Sequence, residues 1–147
     1  MGRPQAAGMG MMPRRNWMML AALSGFLAVA VGAFATHGIK DPVAKDWLKT
    51  GAQYEFMHTM ATFASAAFMQ MGGLRARFAP AFFLPGTVLF SGSLYALALG
   101  APHWVGMITP MGGLLFLVGW LILAWSAMDI DHAVRSAVAQ AHLETAP

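Results

Sequence analysis

The sequence predicts an all-α membrane protein: four transmembrane helices in an antiparallel up-down bundle, with a short interfacial helix between spans one and two. Three observations carry this. Apolar residues make up 58% of the chain and charged residues 10%, against about 45–50% and about 25% in soluble domains. Such a chain cannot coat a water-facing surface with charge, so its apolar excess must face lipid. Four uncharged or nearly uncharged stretches reach the roughly 20 residues that cross about 30 Å of hydrocarbon. The links after spans two and three are short, which makes sequential helices antiparallel neighbours.

The chain of 147 residues holds one domain. It divides into a leader (1–15), a four-helix membrane domain (16–128) and a polar tail (129–147). The leader is rich in Gly, Met and Pro, lacks periodicity and reads as disordered. Arg14 and Arg15 precede span one, residues 17–36, which His37 and a left-handed Gly38 are expected to cap. Its start resembles a signal peptide ending at Ala33-Phe34-Ala35, but the apolar run exceeds the 7–15 residues usual for a signal core.

Residues 41–53 are polar. Asp41-Pro42 reads as an N-cap followed by a first-turn proline. Val43 and Trp47 share one face and Lys45 and Lys49 another, the pattern of an interfacial helix anchored by Trp47. A plain polar turn is the competing reading. Span two covers residues 54–72 and carries Glu55 and His58 near its start. Span three covers 78–100, with Pro80 and Pro85 in its first turns. Span four covers 104–128, with Pro110 as an expected kink. The tail's early part suits a short helix.

With four spans, both termini share a side with the link between spans two and three. That side holds Arg14, Arg15, Arg75, Arg77 and Arg135, while the other holds Lys40, Lys45 and Lys49. The positive-inside rule therefore puts both termini in the cytoplasm. Small residues recur every four positions as Ser24, Ala28, Gly32 and Thr36 in span one and as Gly92, Ala96 and Gly100 in span three. Such stripes let helices approach closely. Packing inside the bundle is favoured over a dimer surface. Ser91, Ser93, Tyr95 and Thr109 are read as interhelical or back-bonding hydroxyls, with no base beside them to activate a nucleophile.

Specific residues resemble a known family. Gly32-Ala33-Phe34 with His37-Gly38, Gln53-Tyr54 with His58, the block Gly86-Thr87-Val88-Leu89-Phe90-Ser91-Gly92-Ser93-Leu94-Tyr95, Thr109-Pro110 with Gly112-Gly113, and Gly119-Trp120 together resemble the bacterial family called domain of unknown function 423. That family has small transmembrane relatives in eukaryotes. The resemblance spans roughly residues 17–128. It implies a four-helix protein of the bacterial inner membrane and argues against cleavage after span one. It also implies that Glu55 departs from a position that is often uncharged, and it brings no established reaction.

The candidate chemistry lies in His37, Glu55 and His58, which the predicted topology gathers on the outer side together with His103. Glu55 and His58 are i, i+3 on one helix face, and an ionisable group near the membrane interior is a functional candidate by default. With His37 they are the weak candidates for a Zn or Fe site. Haem between His37 and His58 would be cramped. The favoured reading is a structural cluster in which His37 meets free carbonyls at a helix C-terminus and Glu55 meets free N–H groups at an N-terminus. His103 reads as an exposed loop residue.

No cysteine is present, which excludes disulfides and thiolate sites, and no clustered basic face suits nucleic acid. No cofactor and no enzymatic activity are expected. The expected partners are the lipid bilayer and a larger membrane complex or further copies of the chain, in a structural or accessory role. A small-molecule carrier, or a metal- or haem-binding membrane protein, is the alternative. For a carrier, only Pro110-Met111-Gly112-Gly113 hints at a broken helix.

Overall fold

The computed structural model describes residues 14–144, and its elements are helices joined by short turns. Residues 1–13 of the expected leader (1–15) lie outside that range, and its last two, Arg14 and Arg15, begin the first helix. Helix α1 (Arg14–His37) is followed by α2 (Pro42–Gln70), α3 (Pro80–Ala98) and α4 (Thr109–Glu144). One-turn 3-10 segments, Leu74–Phe78 and His103–Met107, lead into α3 and α4.

Helix α2 starts as the sequence dictates. The Asp41 carboxylate accepts the Ala44 N–H at 2.7 Å, and Pro42 occupies the first turn, where its missing N–H costs nothing. From there α2 runs unbroken for 29 residues. The separate interfacial helix expected between spans one and two is therefore the first turns of α2 itself. No Gly or Pro interrupts the sequence after Pro42 except Gly51, and α3 packs tightly there, so nothing ends the helix. The left-handed backbone expected at Gly38 occurs instead at Gly72 and Gly100, with φ of 100° and 94°. These two glycines reverse the chain after α2 and after α3, where a side chain would strain the backbone. Pro110 lies in the first turn of α4 rather than at a kink, and α4 continues through the expected tail helix to Glu144.

Three stretches among the described residues are long and apolar enough to cross a membrane: Asn16–His37, Leu74–Ala98 and His103–Asp131. This revises the expectation of four apolar spans. Helix α2 has ample length, about 44 Å at 1.5 Å per residue. Its hydropathy is diluted by Lys45, Asp46, Lys49, Glu55 and His58 and by buried Thr59, Thr62 and Ser65. The physical reason is its place in the fold. Helix α2 lies against α1, α3 and α4, whereas no Cα of α1 comes within 8 Å of α4 among the described residues. The face of a helix buried against its neighbours can carry polar groups such as Glu55 and His58 that a lipid-facing surface cannot, while Asp46 and Lys49 are exposed near its start.

The apolar core lies between α2, α3 and α4. Phe83, Phe116, Ala61, Ala76, Ala79 and Leu123 are buried there. Helices α3 and α4 cross where Gly112 faces the backbone of Phe90: a methyl group on Gly112 would lie 2.5 Å from the Phe90 nitrogen. The Gly112-Gly113 pair is thus a contact point inside a continuous helix, so the hint of a broken helix disappears.

Candidate functional site

The most concentrated polar contacts lie on the buried face of α2. Glu55 is only 3% exposed. One carboxylate oxygen accepts the Ser24 hydroxyl from α1 at 2.8 Å, and the other accepts the Tyr95 hydroxyl from α3 at 2.6 Å. Glu55 therefore ties α1 to α3 across α2. Its partner Tyr95 is placed by Gly51, one turn earlier in α2. The Tyr95 ring occupies the space that a side chain at Gly51 would fill, and Ser91 Oγ donates to the Gly51 carbonyl at 2.8 Å. A bare backbone at residue 51 is what lets α3 come close enough for this pair of contacts.

His58, one turn further, faces α4. Its Nδ1 lies 2.7 Å from the Tyr54 carbonyl, and Trp120 Nε1–H of α4 donates to its Nε2 at 3.2 Å. The two contacts are mutually consistent only for the tautomer that carries its proton on Nδ1. The imidazole also stacks on Phe116 at a centroid distance of 3.4 Å and a plane angle of 7°, with Phe83 and Trp120 around it. Both ring nitrogens are engaged by protein groups, so a metal would have to displace one of them.

His37 stands apart from this pair. It is exposed at the end of α1, thirteen residues beyond the Ser24 that touches Glu55, or about 20 Å along the helix. The cluster expected from His37, Glu55 and His58 is thus corrected. The expectation placed the start of span two beside the end of span one. Helix α2 instead begins at Pro42, which carries Glu55 and His58 well down the hairpin, so Glu55 is not a helix N-terminal residue. No group of three or more His, Asp or Glu side chains suited to a metal occurs among the described residues. His103 is exposed, as expected of a loop residue.

Several contacts were not anticipated. Trp120 and Phe116 are spaced four apart on α4, a pattern indistinguishable from lipid-facing residues in sequence. Ser126 Oγ donates to the Gly73 carbonyl at 2.8 Å and accepts the Ala76 N–H at 3.0 Å, which pins the turn after α2 onto α4. Beside it Arg75 pairs with Asp129 at 2.6 Å and stacks over Trp125. The hydroxyls read as back-bonding or interhelical behave so: Ser91 donates to the Gly51 carbonyl of α2, and Ser93 bonds the Phe90 carbonyl of its own helix at 2.9 Å and meets Thr109 of α4 at 2.6 Å.

The Glu55 contacts border a cleft of about 1020 Å³ between α1 and α3. Leu20, Leu27, Leu84 and Val88 make its walls apolar, and Ser24, Glu55, Ser91 and Tyr95 form a polar patch at one end. The cleft exists because α1 leans on α2 and barely touches α3. Of the two small-residue stripes, the one on α1 faces α2, with Ala28 buried and Gly32 opposite Ala52. The α3 stripe does not pack inside the chain as expected: Gly92 faces open space within the cleft.

Long apolar helices packed on one helix with a polar buried face define a multi-pass α-helical membrane protein. Within that class the chain belongs to the DUF423 family of proteins of unknown function, whose sequence profile matches residues 31–113. It is 44% identical over 117 residues to a UPF0382 membrane protein of Haemophilus influenzae, covering 78% of this chain and 94% of that one. It is 39% identical to the UPF0382 inner membrane protein YgdD of Escherichia coli, over 81% of this chain and 94% of the relative. The UPF0382 membrane protein YwdK of Bacillus subtilis is 32% identical, over 76% and 95%. No solved structure matches the chain. The family resemblance read from the sequence therefore holds, and with it the assignment to the bacterial inner membrane.

Proposed function

We propose that the chain is a four-span, non-catalytic protein of the inner membrane that acts as an accessory component by holding a membrane-borne occupant in the cleft between α1 and α3. Helix α2 supplies the fourth span, shielded by its neighbours, and the arginine bias puts both termini in the cytoplasm. The observation that supports the reading is the cleft itself: an apolar groove between two helices that ends on a buried carboxylate. Pockets that are mostly apolar with a few convergent polar groups are the usual form of binding sites.

Purification in mild detergent followed by identification of retained lipids and proteins tests this. The wild type should retain an occupant in stoichiometric amount. Gly92→Trp, which fills the cleft from a position that touches nothing, should release it without lowering the melting temperature. Retention of nothing, or retention that survives the tryptophan, overturns the reading.

A further inference from the structure

We propose that the occupant is a lipid-soluble organic cation, one positive centre enclosed in an apolar body, held against Glu55 at the inner end of the cleft; this rests on the cleft being a binding site.

Depth comes first. Ser24, which touches Glu55, lies ten residues from Arg14 and thirteen from His37 along α1, about 15 and 20 Å at 1.5 Å per residue. The carboxylate therefore sits near the middle of a roughly 30 Å hydrocarbon layer, below the reach of lipid headgroups. A ligand of this site has to be soluble in hydrocarbon.

Charge comes second. Glu55 is buried and lines the cleft. A carboxylate has about four acceptor sites. The Ser24 and Tyr95 hydroxyls use two of them, and neither brings positive charge. Among the described residues the sole ion pair within 4 Å is Arg75–Asp129, so the chain supplies no counter-ion to Glu55. A charge in hydrocarbon is costly unless paired, and the pairing cation has to arrive with the occupant. The exposed Arg77 guanidinium at the other end of the cleft repels a cation there and favours the Glu55 end.

The source of the cation narrows the class. Leu20, Leu27, Leu84 and Val88 cannot replace the water shell of a sodium or potassium ion. A partner helix would have to carry Lys or Arg at mid-span, where such residues are rare. A second copy of this chain does not: outside the leader its Lys and Arg fall within positions 14–15, 40–49, 75–77 and 135. The nearest to Glu55 along α2, Lys49, is six residues away, about 9 Å. A cation wrapped in apolar groups meets both demands, filling the apolar walls and pairing with the carboxylate. The cleft's volume of about 1020 Å³ lies at the upper end of the roughly 300–1,000 Å³ of small-molecule sites.

The test is equilibrium dialysis of the full chain in mild detergent, corrected for detergent alone, with two probes of nearly equal shape and opposite charge: tetraphenylphosphonium and tetraphenylborate. The wild type should bind one tetraphenylphosphonium per chain, at least about tenfold more tightly than the borate, because an ion pair away from water exceeds the 1.4 kcal/mol that a factor of ten requires. Glu55→Gln should lose that preference, and Gly92→Trp should abolish binding with its melting temperature unchanged. Equal binding of the two probes by the wild type overturns the proposal even if Glu55→Gln fails to fold, as does a preference that survives in Glu55→Gln. Binding of both probes alike, abolished by Gly92→Trp, sinks the charge assignment but leaves the cleft reading standing. A stoichiometric protein that occupies the cleft and is not displaced by tetraphenylphosphonium overturns the proposal in favour of a partner helix. Binding of neither probe, with no occupant retained on purification, removes both readings.

Discussion

Glu55 shows what single residues contribute here. Its two hydroxyl partners come from different helices, and interhelical hydrogen bonds in membranes average about 0.6 kcal/mol, with a maximum near 1.7. Tyr95→Phe and Ser24→Ala should each lower stability by about that amount in a denaturation series. Unchanged stability in both would show that Glu55 does not couple the helices. Ser126→Ala should cost about 0.5–1.5 kcal/mol, because it removes both bonds that pin the turn onto α4, while the Ala76 N–H and Gly73 carbonyl keep their bond to each other at 3.1 Å. Thr59 points the other way. Its Oγ1 is buried without a hydrogen-bond partner among the described residues. Thr59→Val should therefore be neutral or raise stability by up to about 1 kcal/mol, and a clear loss in a thermal melt would refute this. Glu55 and His58 were recognisable from their types alone, as ionisable groups in an apolar chain. Their partners Tyr95 and Trp120 were not, since each lies at least 40 positions away.

At the scale of elements, small residues alike in sequence play opposite roles. Gly112 abuts the Phe90 backbone, whereas Gly92 faces a cleft. Gly112→Ala should destabilise by roughly 1–3 kcal/mol through overpacking, and Gly92→Ala should stay within about 0.5 kcal/mol of wild type. Parallel unfolding curves measure both, and equal effects would contradict the α3–α4 crossing described above. Helix ends divide in the same way. The Asp41-Pro42 start of α2 is local chemistry and was readable. Its fusion with the polar stretch before span two was not, because polarity there reflects shielding by other helices as well as exposure to water.

For the whole molecule, orientation is the sharpest expectation. A cytoplasm-active reporter fused after residue 147 should work and a periplasm-active one should not. The reverse result would invert the molecule and put the Glu55 end of the cleft toward the cytoplasm. Composition and hydropathy by themselves determined that the chain is helical, membrane-embedded and built from sequential hairpins, because the cost of unpaired backbone groups in lipid leaves few alternatives. They also carried the family blocks and identified the ionisable residues worth attention. Only the tertiary structure decided that α2 is the shielded helix, that His37 is remote from Glu55 and His58, and that α1 stands off α3 to leave a cleft. Those outcomes depend on which residues meet across helices, at Gly51 with Tyr95 and at Gly112 with Phe90, and on helix rotation. Hydropathy does not encode these, since lipid and protein interior are nearly equally apolar surroundings for a side chain.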